Sequence, residues 1–172
     1  MLEVEVKARV RDAGAFERVL LERGAEFLGE RVQEDIYLQH PCRDFSETDE
    51  ALRLRLCAGR AELTYKGPRV GDVRTKTREE VSVGITADES ALELLRKLGF
   101  REVARIRKRR RSYRLGGYRV ELDEVEGLGS FVEVEAAPES SGEELVSFVC
   151  RELGLEESML ETRSYLELYL EG

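Results

Sequence analysis

Charged and apolar residues alternate one by one along the first ten residues of the chain. Glu3, Glu5 and Lys7 occupy odd positions of residues 2–10, and small or branched apolar residues fill the even ones. Because successive side chains of a β-strand point to opposite faces, this alternation predicts a strand with one ionic and one apolar face. Further strands are predicted by the same pattern at residues 52–56, 63–66, 76–83, 120–123 and 131–136, and through residues 35–38 and 103–115.

The charged strand faces are sorted by sign. An ordinary solvated surface mixes charges of both signs, so this sorting indicates a site. A network of internal salt bridges without any ligand is the alternative. The acidic faces carry Glu3, Glu5, Glu121, Asp123, Glu133 and Glu135, whereas the mainly basic ones carry Arg53, Arg55, Lys66, Lys76 and Arg78.

Several segments have helical periodicity. Residues 12–23 and 88–98 each begin with an Asp suited to an N-cap and stop before a Gly, and residues 141–153 and 164–170 predict a third and a short fourth helix. A barrel with charged residues inside needs helices to cover its apolar outer face. We therefore expect an α+β fold: a closed or nearly closed antiparallel β-barrel with a charged interior and helices packed outside.

The chain length and an internal repeat of pattern favour one domain. At 172 residues the chain is long enough for a substantial single core. Each half, about residues 1–75 and 76–172, runs from an acidic strand through a helix and a glycine to a long charged strand. We therefore predict a single domain, residues 1–172, made of two pseudo-equivalent halves.

Composition limits the partners and the location. With 37% charged residues and a net charge of −8, the general surface is not expected to attract nucleic acid or anionic membrane. No apolar stretch of about 18 residues and no leader peptide is evident, so we expect a cytoplasmic protein. The three widely spaced cysteines indicate reduced thiols and no zinc site.

The chemistry must come from carboxylates, lysines and arginines. His40 is the single histidine, and neither a P-loop nor a Gly-x-Gly-x-x-Gly motif is present. Carboxylate oxygens are the ligands that Mg²⁺ and Mn²⁺ prefer, and Arg and Lys bind phosphate. In the basic run at residues 107–111, Lys108 and Arg110 should share one face, with Arg107, Arg109 and Arg111 on the other. Ile106 then shares the face of Lys108, and an apolar residue is unusual in a charged barrel interior.

A set of ordered motifs resembles a known family. Residues 3–7 match a Glu-x-Glu-x-Lys motif, and further matches follow at residues 35–37, 40–45, 48–55, 63–68 and 122–135. Together they cover nearly the whole chain. The chain resembles the CYTH family of triphosphate tunnel metalloenzymes, which is named for class IV adenylyl cyclases and thiamine triphosphatases. Residues 40–45 and 48–55 look most like the class IV adenylyl cyclase branch.

The resemblance implies an eight-stranded antiparallel tunnel with assigned residue roles. It implies Mg²⁺ or Mn²⁺ bound by Glu3, Glu5, Glu133 and Glu135, with Asp123 as a further acid near the metal. The catalytic candidates are Lys7, Glu5 and Asp123, and Lys7 would assist proton transfer or orient the nucleophile. One departure is Ser82, where relatives often carry a further Glu. The implied triphosphate-binding residues are Lys7, Arg53, Arg55, Lys66, Arg78, Lys108 and Arg110.

Three functions are compatible with these residues. The first is conversion of ATP to cyclic AMP and pyrophosphate. The second is hydrolysis of a triphosphate, whether tripolyphosphate, thiamine triphosphate or a nucleoside triphosphate. The third is a binder of polyphosphate or nucleotide without turnover, although a pure anion binder gains little from the acidic set. The expected partner is a small triphosphate, ATP or tripolyphosphate, and a homodimer is a further expectation.

Overall fold

Eight antiparallel strands form a closed barrel. The computed structural model describes residues 2–70, 75–86, 88–135 and 141–172. The strand order is β1-β5-β4-β3-β2-β6-β7-β8, and β8 returns to pair with β1, which confirms the predicted barrel. The strands are β1 Leu2–Val10, β2 Glu26–Gln39, β3 Ala51–Cys57, β4 Arg60–Lys66, β5 Lys76–Ile85, β6 Arg101–Leu115, β7 Tyr118–Val125 and β8 Gly129–Glu135.

Within the described residues, four α-helices accompany the strands, at the predicted places. They are α1 Ala13–Glu22, α2 Asp88–Lys97, α3 Gly142–Glu152 and α4 Tyr165–Glu171. Asp12 caps α1 by accepting a hydrogen bond from the backbone N–H of Ala15. Ser141 and Ser164 each form a capping box with the Glu three residues later, which satisfies otherwise unpaired backbone donors. These local caps explain why the helix starts could be predicted from the sequence.

The apolar strand faces point outward and are covered by helices. Leu20 of α1 and Leu145 of α3 pack in one cluster with Val6 and with outward residues of β7 and β8. Leu95 of α2 packs in a second cluster with Ile36 and Leu54, on the outer faces of β2 and β3. Burial of this apolar surface stabilises the barrel and leaves the charged faces inside.

The short helix α4 packs on inward-facing residues. Its Tyr165 and Leu168 lie in one cluster with Tyr37, Ile106 and Phe131. These strand residues share faces with Asp35, Lys108 and Glu133 respectively, as the alternation along each strand requires. Ile106 therefore does face the interior, and it lies at the end of the barrel that α4 closes. This explains an apolar residue on the face of Lys108.

The basic run of β6 divides by face as predicted. Lys108 and Arg110 are buried in the barrel interior. The outward arginines form salt bridges on the surface: Arg107 with Glu126, Arg109 with Glu124, and Arg111 with Glu17 and Glu124. Most of the positive charge that faces outward is therefore balanced locally.

Within the described part of the chain, no helix combines the length and the apolar character that crossing a bilayer requires.

Candidate active site

The barrel encloses a cavity of about 790 Å³ that both charge sets line. The predicted basic residues other than Lys7 come from β3, β4, β5 and β6, and the predicted acidic ones from β1 and β8. Asp35, Glu62 and Glu80 add carboxylates from β2, β4 and β5. Of the predicted site residues, the cavity lining contains Glu5, Lys7, Arg53, Arg55, Lys66, Arg78, Lys108, Arg110, Glu133 and Glu135. The side chain of Glu3 falls outside the described residues, and Asp123 is buried behind the wall. The fold therefore brings residues from all parts of the chain to one site.

Asp35 holds Arg55 in a fixed orientation. The guanidinium donates from Nε to Oδ1 at 2.7 Å and from Nη2 to Oδ2 at 2.8 Å. Burial acts against ionisation of Asp35, but the hydrogen bonds and charge of Arg55 hold the pKa of Asp35 well below its usual range. This two-point pair fixes the plane of the guanidinium on the cavity wall.

Arg53 and Lys66 form a second part of the basic wall. Arg53 Nη2 donates to Thr64 Oγ1 at 3.4 Å, while Arg53 Nε is buried and has no hydrogen-bond partner in the described structure. Lys66 pairs with Glu80, and burial together with the nearby charge of Arg53 lowers the pKa of Lys66. An anion in the cavity would supply the missing acceptor and reduce the repulsion between these two cations.

Asp123 anchors a third group of cations. Its carboxylate accepts from Lys108 Nζ at 3.1 Å, from Arg110 Nε and Nη2 at 2.6 and 2.5 Å, and from the Tyr165 hydroxyl at 2.9 Å. Arg110 also pairs with Glu133. Burial and the like charge of Arg110 lower the pKa of Lys108 to about 8. Asp123 is 0% exposed. Its hydrogen bonds hold the side chains of Lys108 and Arg110 in position. Its predicted contact with a metal stays a prediction.

The acidic wall lies across β1 and β8. Glu5 is the register partner of Glu135, and Lys7 is the partner of Glu133. Burial raises the pKa of Glu135 to about 7, and the charges of Glu5 and Glu133 add to the effect. The charges of Glu5 and Glu133 thus oppose ionisation of Glu135 in a partly desolvated place.

This carboxylate set can be compared with the needs of a divalent metal. Among the side chains that the structure describes, no three Asp, Glu, His or Cys residues are gathered closely enough to form a complete metal centre. Mg²⁺, however, usually binds one or two carboxylates together with waters and substrate phosphates. A cation would also relieve the repulsion that raises the pKa of Glu135. Glu5, Glu133 and Glu135 therefore fit a metal that binds together with a triphosphate.

Lys7 lines the cavity next to the segment that leads into α4. Its Nζ donates to the backbone carbonyl of Arg163 and lies 4.2 Å from the centre of the Tyr165 ring. It is 2% exposed yet lines the cavity. The side chain is thus held between β1 and the segment that leads into α4.

Asp35 and Tyr165 contribute to the site but were not among the predicted site residues. Asp35 belongs to a quoted motif, but its partner Arg55 lies on another strand, so only the pairing of β2 with β3 reveals its role. Tyr165 follows a recognisable capping serine, but the place where α4 packs is not evident in the local sequence. Ser82, the departure from the family pattern, lies within hydrogen-bond distance of Thr64, with 2.9 Å between the hydroxyl oxygens.

Comparison with known sequences and structures identifies the family. The CYTH domain model matches residues 1–165. The chain belongs to the CYTH family. The MJ0240 protein of Methanocaldococcus jannaschii, provisionally named an adenylate cyclase, is 39% identical and the match covers 98% of each chain. Adenylate cyclase CyaB of Aeromonas hydrophila is 34% identical over 96% of this chain and 87% of its own.

Solved structures share the CYTH tunnel. The PH1819 protein of Pyrococcus horikoshii OT3 superimposes with a TM-score of 0.86 at 44% identity, and the match covers 98% of each chain. A Hippeastrum protein described with a dominant triphosphatase activity has a TM-score of 0.74 at 20% identity, covering 99% of this chain and 96% of that one. The Hippeastrum likeness shows the fold alone.

Proposed function

We propose that this CYTH protein is a divalent-metal-dependent enzyme that converts ATP to cyclic AMP and pyrophosphate. The observation that carries the proposal is a cavity that is lined both by a basic wall and by the carboxylates of Glu5, Glu133 and Glu135. A basic wall alone would suit any polyanion. The added carboxylates suit a phosphate chain that brings a cation with it.

The basic wall would bind the triphosphate. Arg55 and Arg110 are held in place by Asp35 and Asp123, so they lose little freedom when they bind phosphate oxygens. Arg53 has a buried donor without a partner, which a phosphate oxygen would satisfy. Lys66, Arg78 and Lys108 line the same cavity and add positive charge.

The acidic wall would hold Mg²⁺ or Mn²⁺ through Glu5, Glu133 and Glu135, with Glu3 as the further predicted ligand. When bound, such an ion neutralises charge on the phosphates and on the leaving pyrophosphate. Asp123 supports the site from behind by positioning Lys108 and Arg110.

In the proposed reaction, the ribose 3′-oxygen forms a bond to the α-phosphorus. The bond from the α-phosphorus to the oxygen that bridges to the β-phosphorus breaks, and pyrophosphate leaves. The hydroxyl proton is released to solvent or to a basic group of the site. Lys7 Nζ, on the cavity wall, orients the 3′-hydroxyl for this attack.

The names of the two curated relatives favour the cyclase over hydrolysis, since both refer to adenylate cyclase. Both reactions would use the same residues to bind the triphosphate. They differ in the nucleophile, which is the ribose 3′-hydroxyl in the cyclase reaction and water in hydrolysis. Triphosphatase activity is therefore the second candidate, and the Hippeastrum protein of the same fold is described with that activity.

Phosphorus NMR tests the proposal directly. Purified protein with Mg²⁺ or Mn²⁺ is given an equimolar mixture of ATP and tripolyphosphate. We expect pyrophosphate together with a cyclic phosphodiester signal. Orthophosphate without cyclic product would make the protein a triphosphatase, and an unchanged spectrum would identify a binder without turnover.

A further inference from the structure

Tyr165 contacts two lysines of the site at once. The centre of its ring lies 4.2 Å from Lys7 Nζ and 4.8 Å from Lys108 Nζ. Its hydroxyl donates to Asp123 at 2.9 Å, and its ring packs edge-on against Phe131 with 5.1 Å between centroids. The ring is 5% exposed, so these contacts are formed away from bulk water.

The convergence of two ammonium groups needs a physical cause. Like charges repel, and a lysine has four flexible carbon atoms with which to move away. An aromatic face attracts cations through its quadrupole, and the attraction is greater where water is excluded. Lys7 also donates to the Arg163 carbonyl, and Lys108 donates to Asp123. The Tyr165 ring thus interacts with the ammonium groups of both lysines.

We propose that Tyr165 is a positioning residue that fixes Lys7 and Lys108 for triphosphate binding and turnover. The residue is the first of α4, so this short helix supplies part of the working site as well as closing the barrel end. The part of this inference that concerns turnover rests on the proposed function. The part that concerns binding requires only that the cavity binds a triphosphate.

A purely structural role would have different consequences. Tyr165 also packs with Ile106 and Leu168, and a leucine could replace much of that apolar contact. Loss of packing lowers the amount of folded protein, but folded molecules would keep their affinity and their KM. Loss of a cation-attracting ring instead changes the affinity and the rate of molecules that are fully folded.

Three variants separate the two roles. Tyr165→Leu removes the ring, Tyr165→Phe keeps it, and Tyr169→Leu makes the same change at an exposed position of the same helix. We expect Tyr165→Leu to weaken tripolyphosphate binding and to lower kcat, each about tenfold, as for a desolvated cation–π contact. Tyr165→Phe should stay within about threefold of the natural protein, and Tyr169→Leu should be unchanged.

Calorimetry of tripolyphosphate binding and steady-state kinetics with ATP give these values on samples that circular dichroism shows to be folded. A double-mutant cycle of Tyr165→Leu with Lys7→Met should be strongly non-additive, because Tyr165 acts through Lys7. A folded Tyr165→Leu whose affinity and kcat both stay within twofold would overturn the proposal.

A second substitution covers the case in which Tyr165→Leu does not fold. Trifluorinated phenylalanine at position 165 keeps the ring shape and weakens its attraction for cations. We expect weaker tripolyphosphate binding than with ordinary phenylalanine there, and equal binding would overturn the proposal. Absence of turnover in the natural protein would instead refute the proposed function, while the binding comparison would still test Tyr165.

Discussion

Glu5 and Glu135 are register partners across the β1–β8 pairing, and both side chains line the barrel cavity. The charge of Glu5 therefore acts against ionisation of the partly desolvated Glu135. The raised pKa of Glu135, about 7, is the result of this placement together with burial and Glu133. We therefore expect the charge of Glu135 to change near neutral pH.

Stability without divalent metal should fall as the pH rises from about 5 to about 7.5. The folded-state pKa of Glu135 lies above its ordinary value of 4.5, so between these values the folded protein binds more protons than the unfolded chain. Glu135→Gln removes this titration. We expect the variant to lose less stability across the interval, by about 3 °C or more in Tm. Calorimetry in the presence of a chelator measures it.

Glu79→Gln is the control for this experiment, because Glu79 is an exposed residue one position away from Arg78 on β5. Its Tm should follow that of the natural protein at every pH. Parallel curves for all three proteins would contradict the assignment of the pH effect to Glu135.

Added Mg²⁺ or Mn²⁺ should raise the Tm of the natural protein near neutral pH. A cation that binds only the folded state adds about 2.7 kcal/mol when its concentration is a hundred times its Kd. Glu5→Gln should lose more than half of this rise. Glu62→Gln, which changes a carboxylate of the same cavity on β4, should keep it. If both variants respond alike, the acidic wall is not the metal site.

Asp35→Asn should destabilise the fold and weaken triphosphate binding. It leaves Arg55 without its buried partner, and breaking such a pair costs about 3–5 kcal/mol. The freed guanidinium also loses its orientation, so the Kd for tripolyphosphate should rise. Urea denaturation and calorimetry measure the two effects.

Glu34→Gln provides the comparison for Asp35→Asn. Glu34 is the neighbouring residue on β2, and its contact with Arg105 at 3.4 Å is partly exposed. The change should cost less than about 1 kcal/mol. Equal losses at positions 34 and 35 would show that the Asp35–Arg55 pair has no special role.

Affinity for tripolyphosphate should decline above about pH 8. Burial and Arg110 lower the pKa of Lys108 to about 8, so above that pH the cavity loses one positive charge. Binding of the anion favours the charged lysine and should therefore take up a proton there. Lys108→Met should bind more weakly at pH 7 and lose this decline, whereas Lys97→Met on α2 should behave as the natural protein. Calorimetry in two buffers with different ionisation heats detects the proton.

Local sequence information was enough for the barrel interior. Strand alternation has a period of two, so the face that carries Lys108 and Arg110 could be separated from the face of Arg109 without any tertiary information. The sorting of charges then identified which face is enclosed. The helix starts were equally local, because Asp12 and Ser164 cap their own helices.

The remaining parts of the site depend on contacts between distant segments. Asp35 meets Arg55 only through the register of β2 with β3, and a single sequence does not specify that register. Tyr165 reaches Lys7 and Lys108 because α4 packs on inward residues, whereas α1, α2 and α3 cover the outside. The alternation correctly predicted that Ile106 faces the interior. The reason for an apolar residue there is its packing against α4, which the sequence does not show.

Closure of the barrel also bears on self-association. Each strand has two strand neighbours, since β1 pairs with both β5 and β8. Val81 and Val83 are each 57% exposed on β5, in a stretch whose described strand pairing is with β4 alone. The described β1–β5 pairing runs only from Leu2 to Glu5 on β1. Separation of these two strands would extend the unpaired edge of β5 next to two exposed valines, and we expect aggregation on heating to begin there.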